Sequence, residues 1–232
     1  MNRFLRNIRK GIRRALNAKT VTLDGVTVHS DLADISKEVR NGLFKETYEE
    51  PERILIREAL RPNDRVLEIG GGIGFVSLLC AKICGPANVL TYEANSKMAG
   101  VIQRNYALNA MAPTLRCKAV TAHDREVTFF VSDNIISSSL HERKEGRPHT
   151  VPADPLDEVI AEWKPTALVM DVEGAETSIL PSSNLAGVQK IILELHPHVV
   201  GESAVTEMKA HLQKLGFREA RAIHKSSYFI RG

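Results

Sequence analysis

Arg65-Val66-Leu67-Glu68-Ile69-Gly70-Gly71-Gly72-Ile73-Gly74-Phe75 constrains this chain more than any other stretch. Val66 to Ile69 reads as a short buried strand, and Phe75 to Cys84 is apolar at helical spacing. Between them the glycines allow a sharp turn and let a ligand approach the backbone with no Cβ in the way. A strand, a glycine turn and a helix form the front edge of a nucleotide-type site in parallel α/β sheets.

The turn departs from the dinucleotide fingerprint G-x-G-x-x-G. Gly70, Gly72 and Gly74 give G-x-G-x-G, with Phe75 behind them, and Glu68 stands two residues before the first glycine. An acid at that place suits a cationic, phosphate-free ligand such as S-adenosylmethionine better than a pyrophosphate. The competing reading is a tight strand-to-helix turn with no ligand.

The 232 residues suffice for one α/β domain with a substantial core. No apolar run is long enough to span a bilayer, and the N-terminus lacks the apolar region and cleavage site of a secretory signal. Cys80 and Cys84 share a helix face and, with Cys117, read as reduced cysteines, the first two in the core; this predicts a cytoplasmic protein without a metal centre. Residues 1–23 hold seven basic side chains and no acid, whereas the remainder carries a net charge of −4. Without a broad basic face, no nucleic-acid partner is expected.

Residues 2–18 predict a basic amphipathic helix with an apolar stripe of Phe4, Leu5, Ile8, Ile12 and Leu16. Packing of that stripe on the body or on a second subunit is favoured, and contact with a membrane surface is the alternative. A hairpin follows at Val21–Val28 around Asp24-Gly25, then a short helix from Asp31 to Asn41 closed by Gly42. Residues 1–46 are read as this accessory region and 47–232 as the main domain.

Strands and helices then alternate: a helix from Pro51, strands at 66–69 and 88–93, a helix from Ser96 to Asn109 capped by Ser96, and strands at 115–121 and 126–132. Asn134 to Pro148 reads as a long loop, followed by a short edge strand at 150–153 and a helix to Trp163, a packing residue. Strands at 167–170 and 189–195, a helix at 202–215 and an antiparallel pair at 217–222 and 226–230 complete the chain. This order predicts a largely parallel sheet with helices on both faces and a terminal antiparallel hairpin.

Ligands of such sheets bind beyond the carboxyl ends of the strands. The glycine turn, Glu93, Asp171 with Glu173, and Glu194 with His196 all fall at strand ends on that edge. Glu93, 19 residues after Gly74, is placed to accept hydrogen bonds from a ribose. Asp171 leaves a buried strand directly into the site, whereas Glu176 is explained by the preference of helix starts for acids. His196 is a candidate base, or a group that orients a carboxylate. Asp171, Glu194 and His196 could also take a divalent cation, but their spacing is not specific for one. The helical Asn105 and Asn109 read as exposed, Asn109 as a helix cap, and His198 and Glu202 as solvated.

These residues resemble the FkbM family of S-adenosylmethionine-dependent methyltransferases from about Tyr48 to His196. Three pieces carry the resemblance: Val66 to Gly74, Met170-Asp171-Val172-Glu173-Gly174-Ala175-Glu176, and Glu194-Leu195-His196. Weaker matches are Tyr48-Glu49, Glu93-Ala94-Asn95, Asn105 with Asn109, and Ser137-Ser138-Ser139. The resemblance implies a Rossmann-like class I methyltransferase fold. That is a mostly parallel seven-stranded sheet with a C-terminal antiparallel hairpin and N-terminal accessory elements. It implies O-methylation of a sugar or natural-product hydroxyl, a small-molecule or glycan acceptor.

Carried onto this chain, it places Tyr48, Glu49, Glu68, Gly70, Gly72, Gly74, Glu93, Ala94 and Asp171 at the cofactor. Asp171, Glu173 and His196 face the acceptor, with Asp171 or His196 as base. The chain departs from the family in three places. Glu68-Ile69-Gly70-Gly71-Gly72 stands where Asp-x-Gly-Ala-Asn is usual, Met170 where Lys is common, and proline is absent after Glu93. A nicotinamide-dependent oxidoreductase and an inactive cofactor-binding protein of the same fold are the alternatives. The oligomeric state is left open.

Overall fold

The computed structural model describes residues 3–131, 138–139 and 147–232. Its centre is a seven-stranded sheet. Strands β3 (Val66–Ile69), β4 (Val89–Tyr92), β5 (Thr114–Arg116), β10 (Ala167–Met170) and β11 (Lys190–Glu194) run parallel, and β12 (Phe217–Ile223) and β13 (Ser226–Arg231) add an antiparallel edge. The order is β12-β13-β11-β10-β3-β4-β5, so the chain steps from β3 one way to β4 and later returns to the other side of β3 as β10. The crevice beyond the ends of β3 and β10 is therefore the switch point at which such sheets bind ligands.

Alternation along each strand feeds two cores. Val66, Val89, Val169 and Ile192 point to one, Leu67, Leu90, Leu168 and Leu193 to the other, and all are buried. Helices α3 (Glu50–Ala59), α4 (Phe75–Cys84) and α5 (Ala99–Leu108) cover the first face, and α6 (Leu156–Trp163) and α9 (Glu202–Lys214) the second. Continuous apolar strands are what burial on both faces requires. Each fully buried Leu or Ile contributes roughly 2 kcal/mol in transfer free energy.

The N-terminal hairpin, β1 (Thr20–Leu23) with β2 (Val26–His29), lies over the first core and shares it through Val21, Leu23, Val26 and Val28. Asn105 and Asn109 pin it. Asn105 Oδ1 accepts from His29 N (2.8 Å) while its Nδ2 donates to Ile73 O (2.8 Å). Asn109 exchanges two hydrogen bonds with the Thr27 backbone. Asn105 is fully buried, not exposed as its helical position implies. Its amide answers backbone groups that would otherwise be stranded.

Several local expectations shift. The helix read over Asp31–Asn41 is α2 (Lys37–Lys45): the Ser36 side chain caps it by accepting from Val39 N, and Glu46, at φ 64°, ends it in place of Gly42. Asn95, not Ser96, caps the turn before α5, its Oδ1 accepting from Lys97 N. The single strand expected at 115–121 is two. Beyond Arg116 there is no β4 backbone left to pair with, so β6 (Ala119–Thr121) pairs instead with β9 (Arg147–Pro155). With β7 (Glu126–Val131) and β8 (Ser138–Ser139) these form a separate four-stranded sheet. The rest of the loop expected from Asn134 to Pro148 lies outside the described residues, as does Ser137.

Helix α1 (Arg3–Ala15) does not pack its apolar stripe on the body. Arg6, Arg9 and Arg13 reach toward the body. Arg6 pairs with Glu50, Arg9 and Arg13 with Glu46, and Arg13 also donates to Phe44 O (2.9 Å). The stripe meant to pack is outside, with Leu5 49%, Ile8 43%, Ile12 53% and Leu16 75% exposed. The reason is local. Two acids and the carbonyl end of α2 form a negative seat, which draws guanidinium groups rather than aliphatic side chains. Among the described residues no helix is long and apolar enough to cross a membrane.

Candidate active site

The glycine turn begins where β3 leaves the sheet. Gly70 and Gly71 N–H both donate to Tyr92 O, at 2.9 and 3.0 Å, so the turn is tied to the end of β4. Gly70 has φ +98°, and a Cβ there would sit 1.9 Å from Asp171 O. Only glycine permits β3 and β10 to deliver both motifs to one point. Gly72 N–H donates to Glu93 Oε2 (2.7 Å), and Asn95 N–H to Glu93 Oε1 (2.7 Å). The Glu93 carboxylate thereby clamps the two loops, and burial raises its pKa.

The turn opens into a cavity of about 350 Å³. Of the residues the sequence assigns to the site, Tyr48, Glu49, Glu68, Gly70, Gly72, Glu93, Ala94, Asp171, Glu173 and His196 line it. Gly74 does not. It starts α4 at φ +78°, and a Cβ there would come 3.0 Å from Ile102 and 3.2 Å from Tyr106, so its glycine serves the packing of α4 against α5. Glu68 is 1% exposed and lies under the turn, where Oε2 accepts from the hydroxyl of its β4 neighbour Thr91 (2.6 Å) and Oε1 has no partner. Burial pushes its carboxyl up to about 8, so it is largely protonated at neutral pH. Tyr48 stacks edge-on against Phe75 with centroids 5.9 Å apart.

The acid run and the end of β11 supply the opposite wall. His196 is 3% exposed. Its Nε2 lies 3.6 Å from Asp171 Oδ1 and 3.8 Å from both Glu173 Oε2 and Glu194 Oε1. Its Nδ1 is 3.4 Å from Glu176 Oε1, and the same oxygen accepts from His196 N–H (3.1 Å). Burial opposes the imidazolium, yet Glu176, Glu173 and Glu194 outweigh it and raise the His196 pKa. Removal from water, then the charges of Glu49, Glu194 and Glu173, holds the Asp171 carboxyl well above its ordinary range; its Oδ1 is buried without a partner. Burial together with Glu52 and Glu194 lifts Glu49 to about 8.

Glu176 is the residue whose role the sequence concealed. Completely buried, it accepts from Gly174 N–H (2.9 Å) through one oxygen and holds His196 through the other. Helix α7 (Glu176–Ile179) is a single turn, so an acid at its start looked adequately explained by the helix alone. The other assigned groups at β11 are also close. One donor atom from each of Asp171, Glu194 and His196 lies within 4.8 Å of the other two, near enough for one divalent cation, and the same holds for Glu49, Glu52 and Glu194.

A mostly parallel sheet whose switch point carries a glycine turn, a clamped acid at the second strand and an acid-histidine wall defines a Rossmann-like fold with a nucleotide-type site. Residues 68–219 match the methyltransferase FkbM domain, and the chain belongs to this family of S-adenosylmethionine-dependent methyltransferases. No curated protein matches the chain. Among solved structures it is similar to the precorrin-6y C5,15-methyltransferase of Geobacter metallireducens GS-15, with a TM-score of 0.49 and 15% identity over 87% of this chain and 94% of that one. It is likewise similar to TYW2 of M. jannaschii in complex with AdoMet, with a TM-score of 0.47 and 15% identity over 92% and 86%.

Proposed function

We propose that the protein methylates a hydroxyl oxygen of a small acceptor, a sugar or a hydroxylated natural product, and that the cavity at the β3–β10 switch point is its active site. The observation that supports this most directly is the abutment of the two motifs: the turn at Gly70–Gly72 and the cluster of Asp171, Glu173 and His196 line one cavity. S-adenosylmethionine supplies a methyl group already activated on a sulfonium, so the chain needs only to hold, align and deprotonate.

The residues fit such a donor. The glycine turn leaves backbone open to the cavity, and Glu68 Oε1 is a buried carboxyl oxygen without a hydrogen-bond partner beneath it. Glu93 and Ala94 stand at the end of β4, where a ribose is expected, and Tyr48 and Glu49 line the same cavity. Seven carboxyl groups line the cavity, and although burial keeps Glu49 and Glu68 largely protonated, the lining offers little to a phosphate-rich acceptor such as nucleic acid.

Asp171 is assigned as the base. Its Oδ1 carries no competing hydrogen bond, and its raised proton affinity brings it nearer the working pH, where general bases act best. His196, held through its N–H by Glu176, stands 3.6 Å from Asp171 Oδ1, close enough for its charge to stabilise the ionised carboxylate. Glu173, at φ 52° and next to Gly174, orients the acceptor from the rim.

Calorimetry with S-adenosylmethionine and with NAD tests the cofactor, and methyl transfer from labelled donor to a panel of sugars, amines and hydroxylated polyketides tests the acceptor. Labelled methyl on oxygen is the expected outcome. Binding of NAD alone, or labelled methyl found only on nitrogen or carbon, overturns the reading.

A further inference from the structure

Helix α1 presents an arrangement that the reaction does not use. Leu5, Ile8 and Ile12 are 49%, 43% and 53% exposed, with Phe4 at 68% beside them and Leu16, just past the helix, at 75%. They form one outward stripe along the helix axis. The helix cannot simply roll over to bury it. Arg6 is held by both oxygens of Glu50, Arg9 by both oxygens of Glu46, and Arg13 by Glu46 and the carbonyl of Phe44. The body therefore grips the polar face and holds the apolar face toward solvent.

The flanks of the stripe are cationic. Arg9 is 53% exposed and Arg14 is exposed. Desolvation, then the charges of Arg14 and of Lys45 in the neighbouring α2, lowers the Lys10 pKa on the side of the helix that faces the body. No acid occurs in residues 1–23.

A second copy of the chain is a poor occupant. Thirteen helical residues span about 20 Å, so a stripe about 10 Å wide offers roughly 200 Å² per copy. Two copies would bury roughly 400 Å², well short of the ~1,000 Å² of a specific interface. A two-fold contact would also bring like-charged flanks together. An anionic bilayer meets both features. Its acyl boundary accepts the stripe to a depth of ~5–10 Å, and its headgroups attract the exposed arginines at the stripe's edges.

We propose that α1 is an interfacial helix that seats this protein on an anionic membrane surface, with its arginine face clamped to Glu46 and Glu50 and its aliphatic face in the bilayer. Glu50 follows Tyr48 and Glu49 in the chain, and those two residues line the cavity. The clamp thus connects the seat to the wall of the proposed active site.

The test is flotation of the purified full-length protein on phosphatidylcholine vesicles with and without roughly 30 mol% phosphatidylglycerol. The double variant Ile8→Asp/Ile12→Asp is run alongside, together with light scattering on both proteins. Both side chains are exposed, so the variant should keep its melting temperature and its affinity for S-adenosylmethionine. The expected result is flotation of the wild type on anionic vesicles, weakened about tenfold or more on neutral ones or in the variant. Three results overturn the proposal: no flotation on anionic vesicles, equal flotation of the variant or on neutral lipid, or a wild-type dimer that the variant dissociates. The last would make the stripe a contact between copies.

Discussion

The Cα position of Gly70 and the carbonyl of Asp171 are so close that a methyl group on Gly70 would lie 1.9 Å from Asp171 O. Two motifs 101 residues apart in the chain meet there backbone to backbone, because β3 and β10 pair in parallel with Ile69 beside Met170. Cofactor turn and acid wall are one construction, and neither can move without the other.

Gly70→Ala is accordingly expected to damage both. The added Cβ must displace Asp171 from its place while adopting φ +98°. A loss of about 3 kcal/mol, or a fall in Tm of about 8 °C, is expected. Calorimetric affinity for S-adenosylmethionine should fall with it. An unchanged Tm by differential scanning calorimetry would contradict this account of the turn.

Asp171→Asn separates binding from chemistry. The side chain keeps its shape and loses its basicity, so Kd for the cofactor should stay within about threefold while kcat drops ~100-fold or more. Turnover close to wild type would remove Asp171 from proton transfer and leave His196 as the base.

Glu176→Gln tests the support beneath His196. Glu176 raises the imidazole pKa against the effect of burial, so its neutral isostere should lower that pKa. In a proton NMR titration the signal missing from His196→Gln should move to a lower midpoint, and the acid limb of kcat should follow. A shift in the opposite direction would mean that Glu176 does not hold the imidazolium.

The buried acids give stability a defined pH slope. Glu49 and Glu68 each rise from 4.5 to about 8 on folding, so between those values the folded chain keeps protons that the unfolded chain has released. The stability these two groups contribute is therefore fully present below about 4.5 and is lost as pH climbs through 8. The raised His196 acts in the same direction above 6.5. Tm of the ligand-free protein should be about 5 °C or more higher at pH 6 than at pH 8.5. An equal or higher Tm at pH 8.5 would show that these groups ionise freely in the fold.

Asn105→Ala should loosen the N-terminal hairpin. It strands His29 N–H and Ile73 O, both met only by this amide among the described contacts. The expected loss is about 2 kcal/mol, with faster hydrogen exchange at His29 and at the glycine turn. Exchange that speeds up at neither place would argue that another group replaces the amide.

Much of the main sheet was legible because its signals are local. Val66–Ile69 and Ala167–Met170 are apolar runs buried on both faces, and a glycine turn or an acid at their ends can be read residue by residue. The gathering of Glu93, Asp171 and His196 on one edge followed from alternating strands and helices. The split at Arg116 was not legible, because it depends on where β4 runs out of partners. Nor was the burial of Asn105, whose bonds span 76 and 32 residues.

The sequence by itself thus determined the main parallel strands, their order and the family, since each rests on short apolar runs and the residues that close them. Tertiary structure alone decided two matters. It made Glu176 the support of His196, because their contact crosses 20 residues and depends on how α7 meets β11. It also turned α1 arginine-side in: helical periodicity shows that the helix has two faces, but only Glu46 and Glu50, brought beneath it by the fold, select which face is buried.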